Sequence, residues 1–261
     1  MAFSRPHSEE ALGAADAIRR RISGTFFEKF GHDLLDFEQA LAVDEEFFKI
    51  AFKPAKWTLL HRFTSHYLWE EWNYFRKNGG YEFITAAHKI LDHYGITFTA
   101  LENPDTPGHR DYILDRLSLA LDIIAHEVFC VLFNDKELMR TFGERTAKAF
   151  ENLHESQYPD YLHGTGRMKR SSYWPSWLKE ALIYRENGRC GKCSNNLTGV
   201  FDPTQKPQID HIVPISNGGT TDPTNLQILC GKCNQEKSNL NNIVGEYIYV
   251  PWEFQHPSCQ V

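Results

Sequence analysis

Four cysteines stand in two identical tetrapeptides, CGKC at 190–193 and CGKC at 230–233. Two Cys-x-x-Cys pairs can close a tetrahedral thiolate site, so Cys190, Cys193, Cys230 and Cys233 are the expected ligands of a structural Zn²⁺. Gly191 and Gly231 permit the tight turn that aims both sulfurs of each pair at one ion. Zinc ribbons of this type separate their pairs by about 15–20 residues, whereas residues 194–229 make 36. The extra length should hold structure of its own. Midway along it lies IDHIVPISNGG, residues 209–219, which sets a charged residue, Asp210, beside a titratable one, His211. Zinc binding requires neither.

The elements that would carry this pair are legible. PQIDHIVPI, 207–215, is a β-branched run that predicts a strand; SNGGTTDPTN is a loop by its Gly, Asp and Pro content; LQILCGKCNQEKSN predicts a short helix at the second cysteine pair. A strand, a loop and a helix pinned by one zinc would gather side chains from all three around a point. In a regular strand Asp210 and His211 point to opposite sides. Both reach one site only if the strand is distorted at its end, which His-Ile-Val-Pro permits.

The succession DHIVP, then GGT, then NLQILCGKCN with Lys237 following, resembles the HNH endonuclease family and its ββα-metal fold, and the flanking cysteines are similar to those of its zinc-bearing subgroup. The resemblance covers residues 170–240. It implies phosphodiester hydrolysis, which needs a base to deprotonate water and a cation to stabilise charge on the transition state and leaving oxygen. It assigns His211 as the base, a role its ordinary pKa suits, and Asp210 with the amide oxygen of Asn234 as ligands of a catalytic Mg²⁺ or Mn²⁺. Asn225 takes the family position that orients the base and braces the loop. The third signature position is Asn234 rather than His, so the signature reads His-Asn-Asn; losing a nitrogen ligand favours Mg²⁺ or Mn²⁺ over softer ions.

Charge is unevenly spread. Lys and Arg number 18 against 26 Asp and Glu over residues 1–160, but 10 against 6 over 161–240, within a net of −6. The basic part opens with GTGRMKRSSYW, 164–174, where Arg167, Lys169 and Arg170 neighbour Tyr173 and Trp174, a composition that suits a phosphate backbone and equally a solvated linker. Lys237, Lys232 and Arg189 are further phosphate contacts that a solvated surface explains as well. DNA is the expected partner, with RNA left open.

Residues 1 to about 160 read as helical. Leu60, Phe63, Tyr67, Leu68, Trp72 and Phe75 recur at three- and four-residue steps, as do Leu117, Leu121, Ile124, Val128 and Leu132. Gly79-Gly80 breaks one helix, ENPDTPGHRD at 102–111 reads as a loop, and 175–186 as a short helix. The histidines of this half form no ligand pattern; Cys130 reads as a buried small hydrophobe and Cys259 as a free tail thiol. No long apolar run or signal sequence is evident, so no membrane partner and a cytoplasmic location are expected. The expectation is an α+β chain: a helical accessory or regulatory domain over 1–165, through which the chain would self-associate or bind a protein partner, and a zinc-stabilised nuclease domain over 166–261. The intracellular setting suggests prokaryotic phage or genome defence. The alternative function is a catalytically silent zinc module that binds nucleic acid or protein.

Overall fold

Apolar residues three and four apart along a helix stand on one face, and in the computed structural model those stripes become the seams of a helical core. The structure describes residues 8–24, 35–171, 173–199 and 206–237. The helical part comprises α1 (Glu9–Ser23), α2 (Phe37–Leu41), α3 (Glu45–Phe52), α4 (Leu59–Asn78), α5 (Gly80–Tyr94), α6 (Pro107–Leu132) and α7 (Lys136–Ala149). Ser8, Asp36, Asp44, Thr58, Thr106 and Asp135 each start one of these helices by accepting the backbone N–H three residues on, a donor that would otherwise be left without a partner inside the helix. α6 packs against α1, α4 and α5. The two stripes named above supply much of the buried interior, with Trp72 and Phe75 at its margin.

Two details differ from expectation. The stretch 102–111 is a loop only as far as Thr106: its Pro is the first residue of α6, where a fixed φ and a missing N–H cost nothing. Cys130 is exposed rather than buried, because it lies off the buried stripe of α6. Cys259 lies outside the described residues. No single helix among the described residues is long and apolar enough to cross a membrane.

The C-terminal part is built on α8 (Ser176–Arg185), the strands β1 (Gln208–His211) and β2 (Leu226–Leu229), and α9 (Gly231–Lys237). The strands pair antiparallel, setting Asp210 opposite Gln227 and His211 opposite Leu226. α8 packs on β2, and α9 on both strands. A second, smaller core gathers Leu178, Leu182, Leu226, Ile228 and Leu229 with three of the paired cysteines.

β1 is shorter than the β-branched run predicts. Beyond His211 the Ile212 N–H donates to the Asn225 carbonyl (2.7 Å) and the Val213 N–H to Asn225 Oδ1 (2.8 Å), and Pro214 has no N–H to offer a ladder. The chain therefore turns away into a 3-10 turn at Ile215–Asn217. A Cβ on Gly219 would overlap the Val213 carbonyl, so this turn requires glycine.

The loop between the strands is anchored on the helical part. Ile212, Leu162 and Met168 join the helical core. Thr221 N–H donates to the Ala51 carbonyl (2.8 Å), and Lys136 at the start of α7 forms a buried ion pair with Glu186 (3.0 Å). Asp222, fully buried, accepts from the Leu59 N–H at the start of α4 (2.9 Å) and from the Thr224 N–H (3.0 Å). Burial, opposed by the Thr224 hydroxyl and then by these backbone donors, pushes its carboxyl up to about 6. Asp222→Ala leaves two backbone donors buried and unpaired, at about 1–3 kcal/mol each. The expected outcome is a loss of about 2–5 kcal/mol in urea unfolding; a loss below about 0.5 kcal/mol would mean that this anchor contributes nothing.

Candidate active site

The four cysteines converge. Cys190 and Cys193 lie on the turn after α8, Cys230 follows β2, and Cys233 is in the first turn of α9. Their sulfurs all lie within 4.8 Å of one another, with Cys193 and Cys230 3.8 Å apart. A tetrahedral ion about 2.3 Å from each sulfur sets the sulfurs about 3.8 Å apart. Backbone N–H groups point at the sulfurs, Cys230 N at Cys190 Sγ (3.3 Å) and Cys233 N at Cys230 Sγ (3.4 Å). Burial alone would raise the Cys190 thiol, but donors from Cys193, Cys230 and Lys192 outweigh it and lower the thiol to about 7. The cluster fits a structural metal such as zinc, and it ties α9, which carries Asn234, to the end of β2, the strand paired with the β1 that carries Asp210 and His211.

Those three residues line one cavity of about 320 Å³, together with Ile209, Pro214, Ile215, Lys237, Arg170 and Trp174. β1 ends at His211, so neighbours on one strand both reach the cavity. His211 Nε2 is buried and has no hydrogen-bond partner among the described residues. The imidazole meets Trp174 edge-on, with ring centroids 5.9 Å apart. Burial, then the Lys237 and Arg170 charges, lower its pKa to about 4. The ring is therefore neutral at pH 7, with one of its two nitrogens carrying no proton.

Asp210 Oδ2 accepts from Gln227 Nε2 (3.0 Å), its cross-strand neighbour, and pairs with Lys237 Nζ (2.9 Å). Asn234 Nδ2 donates to Gln208 Oε1 (2.7 Å). The donor end of the amide is thereby occupied, and its carbonyl is the end it can offer a cation. A carboxylate and an amide oxygen beside a neutral imidazole fit a hard divalent ion better than a soft one.

The remaining expected site residues are placed differently. Asn225 does not line the cavity: it is 1% exposed, and its amide donates to the Val213 and Thr220 carbonyls besides accepting from Val213 N–H. It braces the loop that follows His211 and touches no reacting position. Gly143 of α7 presses against it, since a Cβ there would lie 3.1 Å from Asn225 Oδ1. Lys237 is not a surface contact. It is 1% exposed, and its ammonium bridges Asp210 and the His211 carbonyl (2.6 Å). Arg170 lines the cavity with His211, and Arg167 and Lys169 line an adjoining one. Arg189 donates to the Ser194 carbonyl (3.2 Å) and Lys232 pairs with Glu236 (3.9 Å); neither lines either cavity. Sequence reasoning missed Gln208 and Gln227, whose roles appear only once the strand register is known. The burial of Lys237 had a signal: it stands three residues after Asn234 on α9, hence on the same face.

Residues 190–240 match the family model described as HNH endonuclease. Over 102 residues the chain is 30% identical to the CRISPR-associated endonuclease Cas9 of Corynebacterium diphtheriae, a stretch that makes up 39% of this chain and 8% of that relative. The chain thus corresponds to a small fraction of the relative's length. No solved structure matches significantly. The C-terminal part of the chain therefore carries an HNH endonuclease domain, whose matched span includes β1, β2, α9 and all four clustered cysteines.

Proposed function

We propose that the chain is a divalent-cation-dependent endonuclease that hydrolyses phosphodiester bonds of DNA. The observation that carries this reading is His211, a neutral imidazole whose buried Nε2 has no hydrogen-bond partner among the described residues, lining the same cavity as Asp210 and Asn234. His211 takes a proton from a water as that water attacks phosphorus, the P–O bond to the leaving oxygen breaks, and the imidazolium formed lies edge-on to the Trp174 ring. A cation bound by Asp210 and Asn234 would stabilise charge on the phosphate and leaving oxygen. Lys237, already against Asp210, supplies a further fixed positive charge. Asn225 acts as a positioning residue through the loop it braces.

The helical residues 1–165 we take as a unit that supports the 212–225 loop and, by their acidity, face something other than a phosphate backbone: a protein partner or a second copy. A relative named as CRISPR-associated favours a defence role in a cytoplasmic setting, where the cysteine thiols stay reduced.

The metal assignment is tested by binding as well as turnover. Asp210→Ala and Asn234→Ala should each weaken Mn²⁺ binding, read by electron paramagnetic resonance, and raise the Mg²⁺ needed for cleavage by more than about tenfold. Gln227→Ala, which removes the hydrogen bond to the ligand carboxylate together with the rest of a fully buried side chain, should weaken Mn²⁺ binding by about 10–100-fold. Unchanged Mn²⁺ affinity in both ligand variants would place the ion elsewhere.

A further inference from the structure

We infer that the substrate strand lies unpaired where it enters the active cavity, with one base stacked on Trp174, so that the favoured substrate is a single-stranded segment such as a bubble, gap or flap. This rests on the nuclease reading above and goes beyond it, because neither the metal ligands nor the base distinguish paired from unpaired strands.

The cavity of His211 does not stand alone. It adjoins a second one of about 360 Å³ that shares Arg170 and Ile215 with it and is lined further by Arg167 and Lys169. That lining holds no carboxylate, and the one carboxylate of the first cavity, Asp210, is paired with Lys237. Arg167, Lys169 and Arg170 thus place three cationic residues on the 163–170 segment that leads to the catalytic imidazole, with the Lys169 ammonium also held by the Pro159 carbonyl. The segment's path is fixed rather than loose: isolated bridges join His154 to Thr165 and Leu162 to Met168, and Leu162 and Met168 are buried in the helical core.

Trp174 stands beside His211 just beyond this segment. It is a lining residue of the first cavity and 39% exposed, with Tyr173 beside it 56% exposed. Trp57, Trp69, Tyr81 and Tyr184 are similarly or more exposed elsewhere, so the signal is the place of Trp174, which lines the His211 cavity beside Arg170. In a stacked duplex both faces of each base are covered by neighbours, so an indole can take up a base face only from a nucleotide that has left the stack. Basic grooves that track a backbone beside aromatic platforms are how single strands are held, and one stacked base is worth roughly 5- to 150-fold in affinity. The rival role for Trp174 is to pack the His211 ring and nothing more, which would affect every substrate alike.

The test measures binding without turnover. Native protein with its zinc retained and no magnesium added is titrated against a labelled oligothymidine and a labelled duplex of equal length, read by fluorescence anisotropy. The oligothymidine should bind more tightly. Trp174→Leu should weaken oligothymidine binding by roughly 5- to 150-fold and leave duplex binding within about twofold, while Trp174→Phe should keep most of the oligothymidine affinity. Thermal unfolding of each variant shows that the fold is kept; if Leu does not fold, Phe and Tyr173→Ala carry the comparison. Preference for the duplex, or equal losses on both probes, overturns the inference. A protein that binds oligothymidine through Trp174 but cuts nothing in Mg²⁺ would keep this inference and remove the nuclease reading. One that cuts duplex with binding indifferent to Trp174 would do the reverse.

Discussion

His211→Ala is expected to lower the rate of phosphodiester cleavage by about 10²–10⁴-fold, the contribution of a positioned general base, while zinc content and nucleic-acid affinity stay near native. The imidazole lines the cavity and its Nε2 is buried without a partner among the described residues, so its removal takes away the proposed proton acceptor and no structural hydrogen bond made by that atom. The bond that Lys237 makes at this position goes to the backbone carbonyl and survives the substitution. Asp210, Asn234 and their glutamine partners are likewise untouched. Single-turnover kinetics at saturating Mg²⁺ reads the effect directly. A rate within about threefold of native would remove His211 from the role of base.

The second large effect concerns the cysteines. Cys190, Cys230 and Cys233 are part of the small core, with Leu178, Leu182, Leu226, Ile228 and Leu229 around them. A core of this size, with two four-residue strands, is below what apolar burial alone holds together. A structural zinc contributes apparent binding free energy of about 10–16 kcal/mol in small domains, and that energy is folding energy. Serine at any of Cys190, Cys193, Cys230 or Cys233 should therefore lose the zinc and abolish cleavage. Hydrogen exchange should show the amides of β1, β2 and α9 unprotected, while α4 and α6 keep their protection because their packing partners are the other helices. Native protein without a tightly bound metal, or a serine variant with protected β1 amides, would contradict this.

The parts of the molecule that were legible in sequence are those governed by local pattern. The three- and four-residue apolar steps gave α4 and α6 because a helix repeats every 3.6 residues and both stripes face one core. The cysteine spacing gave the metal cluster because ligand geometry is short-range. What stayed hidden depends on contacts between residues far apart in the chain. Gln227 meets Asp210 through strand register, Asp222 caps α4 across 163 positions, and Gly143 gives Asn225 its close neighbour on α7. Nothing in a run of Thr, Asp and Pro announces that its carboxylate ends another part's helix. The halves that composition separates near residue 160 are thus joined by a loop whose anchors lie on the helices and whose other end carries His211. Residues 156–166, between those halves, are an ordered turn, with Tyr158 and Tyr161 packed on Phe48.

The central claim, that this cavity hydrolyses phosphodiester bonds with a divalent cation, is tested most directly by one measurement. Zinc-loaded, full-length protein is mixed with supercoiled plasmid and with single-stranded circular DNA, with and without added Mg²⁺ or Mn²⁺, and His211→Ala runs alongside. The account predicts nicked or linear products only when the divalent cation is added and only with native protein. Folded, zinc-loaded protein that binds both DNAs and cuts neither in Mg²⁺ or Mn²⁺ would contradict it, and would identify a zinc module that binds nucleic acid without acting on it.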